Sequence, residues 1–92
     1  MNDGPLAIEE LARLWLAAER DASIHRDART AELAQRASAA YEAAVTSASR
    51  EDLLVAWHAA LKTQADQEMG SVAWSQAREV SELTRMEYLA SG

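Results

Sequence analysis

The segment Ser49–Met69, SREDLLVAWHAALKTQADQEM, constrains the fold more than any other, because its start, its apolar face and its end can all be read. Ser49 followed by Asp52 forms a capping-box pattern, in which each side chain satisfies an amide that a helix start leaves without a partner. The pattern predicts a helix from that point. Beyond the cap, Leu53, Leu54, Trp57, Ala60, Leu61 and Ala65 recur at helical spacing, while Arg50, Glu51, Lys62, Asp66 and Gln67 fall mostly elsewhere. Such a stripe requires another apolar surface against it. Gly70 offers a left-handed stop and Ser71 a fresh cap, which predicts a turn between this helix and the next.

The rest of the chain supplies surfaces of the same kind. Asp3-Gly4-Pro5 leads into LAIEELARLWLAAER, where Pro5 suits the first turn of a helix and Glu9 and Glu10 complement its dipole. Ile8, Leu11, Leu14, Trp15 and Ala18 make an apolar face there, with Leu6 and Leu16 spreading beyond it. Glu19 to Arg36 is the most charged stretch, with Ile24 and Leu33 its large apolar residues; Ser23 can cap a new helix here, or the first helix can run on. From Thr30 to Ala48 strong helix formers dominate, and Ala34, Ala37, Tyr41, Ala44 and Val45 form a smooth face with Tyr41 as its one bulky knob. In the last stretch, Ser71 to Ala90, Val72, Val80, Leu83 and Ala90 continue the stripe of the preceding helix. The reading is all-α: a small helical bundle of about four helices, at residues 5–21, 23–46, 49–69 and 71–90, in a single domain spanning 1–92. Two long helices in an antiparallel hairpin around Thr46–Ser49 are the alternative.

Composition limits what such a bundle can be. The hydrophobic fraction is 49%, yet there is no Phe and alanine supplies much of it. An alanine buries about one methyl, against roughly 1.5–3 kcal/mol for a fully buried Leu, Val or Ile. A core this thin is often completed by a second copy, so a homodimer is expected. The absence of Cys excludes disulfides and thiolate metal sites. The start of the chain lacks a signal-peptide pattern, and no apolar run approaches the roughly 20 residues of a membrane span. The expectation is a soluble cytoplasmic protein with no membrane partner. A net charge of −6 works against duplex DNA, whose binders rely on phosphate attraction, and favours basic partners.

The most suggestive constellation lies on the last helix. Trp74, Arg78, Ser81, Arg85 and Tyr88 follow one another at spacings of four and three, which places them on one face, apart from the Val72/Val80/Leu83 stripe. Aromatics alternating with arginines can stack, make cation–π contacts and pair with acidic groups, the chemistry enriched in interface hot spots. With that helix rotated, Trp74, Ala77 and Tyr88 would instead be core and the arginines would edge it. His25 and His58 are the candidates for acid–base work near neutral pH; Asp21 and His25 are one turn apart, a spacing that supports two metal ligands on a helix face, but no second His or acidic pair at comparable spacing completes a site. No nucleophile elbow or phosphate loop appears. Arg20, Arg26, Arg29 and Arg36 interleave with Asp21, Asp27 and Glu32, which reads as a salt-bridged solvent face rather than a recognition helix.

In length and possible hairpin the chain resembles the small Trp-Xaa-Gly helical proteins exported by type VII secretion. It departs from their motif at Trp57-His58-Ala59, which lacks the glycine and sits inside a helix, and no family is assigned. The expected function is non-catalytic protein–protein binding by steric occupation, with no cofactor. Trp74, Arg78, Arg85 and Tyr88 would anchor it, and Glu79, Glu82 and Glu87 would select the partner. A phage-type inhibitor such as an anti-CRISPR fits this description. The alternatives are a small DNA-binding regulator using Arg26 to Arg36 and a small metal-dependent enzyme using His25.

Overall fold

The computed structural model describes residues 7–91, which form four helices: α1 (Ile8–His25), α2 (Ala28–Ser47), α3 (Arg50–Ala65) and α4 (Val72–Ser91). No strand occurs among the described residues, and no helix there is long and apolar enough to cross a membrane. The expected role of Pro5 and the contribution of Leu6 lie outside the described residues.

Local chemistry explains each break. At α3 the Ser49 hydroxyl accepts from the Asp52 amide at 3.0 Å and the Asp52 carboxylate accepts from the Ser49 amide at 3.1 Å, so both halves of the capping box are made. Between α1 and α2 the stop falls later than Ser23, which stays helical. Arg26 turns left-handed with φ 52°, its amide donating to the Ala22 carbonyl at 3.0 Å, and Asp27 caps α2 by accepting from the Thr30 amide at 2.8 Å. An aspartate that holds a free amide outcompetes a serine still able to continue the helix. α3 ends at Ala65 rather than Met69. There the Asp66 amide is shared between the Lys62 carbonyl at 3.1 Å and the Thr63 carbonyl at 3.2 Å, and the Gln67 amide bonds three residues back to Gln64 at 3.1 Å, which tightens the chain out of α geometry. Gly70, at φ 88°, turns the connection, and the Ser71 hydroxyl caps α4 by accepting from the Trp74 amide at 3.1 Å. These two breaks replace the two-helix hairpin.

The four helices pack as two hairpins, α1 on α2 and α3 on α4, with α1 lying against both members of the second pair. Ala12 is fully buried where they meet, against Tyr41, Ala60 and Val80, with Ile8, Leu11, Trp15, Leu16, Val45 and Leu83 around them. Because α1 has neighbours on more than one side, Leu16 packs inward and Leu14 is the residue left out, 40% exposed. On α4 the buried residues are Ala77, Val80, Ser81 and Thr84, while Val72 and Ala90 are exposed. The turn at Gly70 resets the helical phase, so the stripe of α3 does not run on into α4. Thr84 is buried without cost because its hydroxyl donates back to the Val80 carbonyl at 3.0 Å.

Tyr41 ties the hairpins together. Its ring stacks on Trp15 with centroids 5.3 Å apart, and its hydroxyl donates to the Glu87 carboxylate at 2.9 Å, linking α2 to α4. The nearby Trp15 Nε1–H is buried with no acceptor among the described residues.

Two outcomes test this account. An arginine in left-handed geometry costs roughly 1–2 kcal/mol, part of which glycine returns as lost chain entropy. Arg26→Gly is therefore expected to stabilise the fold by about 0.5 kcal/mol in urea unfolding. Burial first, and then the bond to Glu87, push the Tyr41 hydroxyl far above its ordinary range. The fold favours the neutral hydroxyl, so this contribution is complete below the unfolded value near 10 and is lost as pH rises toward the folded one. Thermal melts are expected to fall steeply above about pH 10, and Tyr41→Phe to flatten that alkaline limb while costing about 1–3 kcal/mol at neutral pH.

Candidate protein-binding seam

The antiparallel α3–α4 pair has an inner side toward α1 and an outer side away from it. At ~100° per residue, Ala77, Val80 and Thr84 of α4 share the inner face, whereas Trp74, Ser81 and Tyr88 lie a quarter turn round, over α3. Ser81 is buried, 3% exposed, and its hydroxyl donates to Gln64 Oε1 at 2.8 Å with the Arg78 carbonyl at 2.9 Å as a second acceptor. Ser81 is thus a fastener of the hairpin and not a group a partner can reach.

The other four residues of the expected face do reach the surface. Trp74 and Tyr88 are half-buried, and Arg78 and Arg85 are exposed. The Arg78 guanidinium lies 5.9 Å from the centre of the Trp74 ring, and Arg85 approaches Glu82 at 4.0 Å. At the opposite end Tyr88 is part of a stack that α3 completes. The Arg50 guanidinium sits 4.3 Å over its ring, and Trp57 lies 5.8 Å from it, tilted by 31°. His58, exposed, is 6.0 Å from Trp57 in the same cluster. The site is therefore a seam running along two helices, with Trp74 and Arg78 at one end and Arg50, Trp57 and Tyr88 at the other.

Arg50 and Trp57 were not legible as site residues. Trp57 belongs to the apolar stripe of its own helix, and only the pairing of α3 with α4 sets it beside Tyr88. The short connection at Gly70 carries the signal: two helices joined that tightly pack antiparallel, which brings the start of one beside the end of the other.

The electrostatics of the seam differ from the rest of the surface. Arg20 pairs with Glu79 at 2.9 Å, Arg36 with Glu32 at 2.8 Å and Arg13 with Glu10 at 2.7 Å. Arg50 and Arg78 have no carboxylate within salt-bridge distance among the described residues; each faces an aromatic ring instead. A guanidinium that meets a ring face by its charge leaves N–H groups free for planar acceptors. The acids expected to select a partner are largely committed elsewhere. Glu79 holds Arg20 of α1 and Glu87 holds Tyr41 of α2, so both brace the bundle, and Glu82 is the one left facing outward.

The remaining candidates do not converge. Asp21 and His25 are exposed near the end of α1, and among the described residues no group of three or more His, Cys, Asp or Glu is placed to hold a metal ion. Arg26 bonds the Ser23 carbonyl at 3.4 Å, and Arg36 is held by Glu32. The backbone and side-chain hydrogen bonds from Thr30 hold the Asp27 carboxyl below its usual range, which is the signature of a cap. A cleft of ≈ 240 Å³ between α1 and the α3–α4 turn has Glu10, Arg13 and Arg20 on its rim, all engaged in the pairs just described.

Framework and surface can be separated by substitution. Ser81→Leu is expected to lower stability by about 1–3 kcal/mol, because it overfills the α3–α4 contact and strands Gln64. Arg85→Ala, which removes an exposed 4.0 Å pair, is expected to change stability by less than about 0.5 kcal/mol in the same denaturant titration. The chain matches no protein-family model, no curated protein and no solved structure, so the reading of this seam rests on its own residues.

Proposed function

We propose that the protein is a non-catalytic binding module that acts by covering a surface of another protein through the outer seam of α3 and α4. The observation that carries this reading is the stack of Arg50 over Tyr88 at 4.3 Å, backed by Trp57 at 5.8 Å, with the Arg78–Trp74 pair at the far end. Aromatic and arginine side chains are the residue types that dominate binding energy at protein interfaces. The Arg50 guanidinium already lies over the Tyr88 ring before docking, which reduces the entropy that pair loses on binding. The partner is a protein with an apolar pocket for an indole and carboxylates or carbonyls placed to meet the two open guanidinium edges. Inhibition by occupation is the activity such a surface exerts. A second copy of the chain is a partner of the same class, and sedimentation of the purified protein reads that case directly.

The test is pull-down from host extract with the tagged protein and with an Arg50→Glu/Arg78→Glu variant, whose fold is checked by far-UV circular dichroism. The reading expects a stoichiometric protein partner that the wild type retains and the folded variant loses by at least about tenfold in retained amount. Equal retention by both forms would remove the seam from the interaction.

A further inference from the structure

A second surface lies away from the seam, where the first turns of α1, the end of α2 and the start of α3 meet. It is an open groove of ≈ 820 Å³. Alanines from all the flanking segments form its floor, Ala40 and Ala44 on α2 and Ala56 on α3 among them, with Ile8, Leu11 and Val55 as its large apolar walls. Val55 is 62% exposed, although its α3 neighbours Leu53 and Ala56 are buried. Small floor residues let a helix axis approach to about 8 Å, the short end of the interhelical range.

The charge of the groove has one sign. Its charged lining residues are Glu9 and Asp52, both carboxylates, and no Lys or Arg is among the described residues that line it. The end of α2 and the starts of α1 and α3 all border the groove, so the helix dipoles oppose one another there and the side chains set its sign. The chain as a whole carries −6. Those facts decide between occupants. A small ligand would suit the volume but would stay largely wet in a groove open along its length, whereas small-molecule sites enclose most of their ligand. A second copy docked by two-fold symmetry would set concave surface on concave surface and bring Glu9 and Asp52 of each copy together. A helix with an apolar stripe flanked by Lys or Arg fills the floor and meets both carboxylates.

We infer that this groove is a docking site for a cationic amphipathic helix, separate from the α3–α4 seam. The probe is a fluorescently labelled helical peptide of leucines and lysines, with a leucine–glutamate counterpart and a lysine–serine peptide as controls. Fluorescence anisotropy is expected to show saturable one-to-one binding of the leucine–lysine peptide alone. Ala43→Trp, at an exposed position lining the groove, is expected to weaken it by about tenfold, and Glu9→Lys severalfold. Arg50→Glu/Arg78→Glu on the seam does not weaken it, and circular dichroism confirms that every variant is folded. Equal binding of the lysine–serine peptide would reduce the effect to bulk charge and overturn the inference. So would undiminished binding by folded Ala43→Trp and Glu9→Lys, or sedimentation showing a dimer that Ala43→Trp dissociates.

Discussion

Everything in this bundle depends on how closely α1 can approach α3 and α4. Ala12 has no exposed surface, and it meets Ala60 on α3 and Val80 on α4 with Tyr41 of α2 closing the fourth side. A larger side chain at position 12 or 60 would push the two hairpins apart, and native cores tolerate such insertion poorly. Of the eight buried hydrophobic side chains among the described residues, five are alanine. The core is therefore held by proximity of backbones more than by bulk of side chains, and dispersion over many short contacts replaces the few large transfers of an ordinary core.

A core built in that way leaves two consequences on the surface. Specific polar ties take over work that large apolar residues would otherwise do: Tyr41 to Glu87 joins α2 to α4, Arg20 to Glu79 joins α1 to α4, and Ser81 to Gln64 closes the second hairpin. The large side chains that alanine displaces must also go somewhere. Trp57, Trp74 and Tyr88 end half-buried on the outer seam, and Val55 stands in the groove on another face of α3. Both candidate surfaces are thus by-products of the same close helix approach, one aromatic and arginine-bearing, the other aliphatic and acidic.

The helix boundaries show where reading residues in a line succeeds. Ser49 with Asp52, Ser71 and Gly70 act within three or four positions, and each does what its chemistry implies. The same locality misled at Ser23, because nothing within the segment said that Asp27 would win the cap. Face assignments fared unevenly for a related reason. On α2 the alanine face with Tyr41 was legible, since that helix has one main neighbour. On α4 the projected stripe failed at Val72 and Ala90, and the proposed site lost Ser81 to the interior while gaining Arg50 and Trp57 from another helix.

The order of residues by itself determined that the chain is all-helical, that Ser49 and Ser71 cap helices with a turn at Gly70 between them, and that its core would be poor in large side chains, because those properties follow from groups within a turn or two of one another. Tertiary structure alone decided which way each helix is rotated and which charges are spent internally. Those depend on the summed fit of three helices around Ala12, a quantity that no single helix contains. That is why Glu79 and Glu87 brace the bundle while Arg50 and Arg78 lie open on their rings.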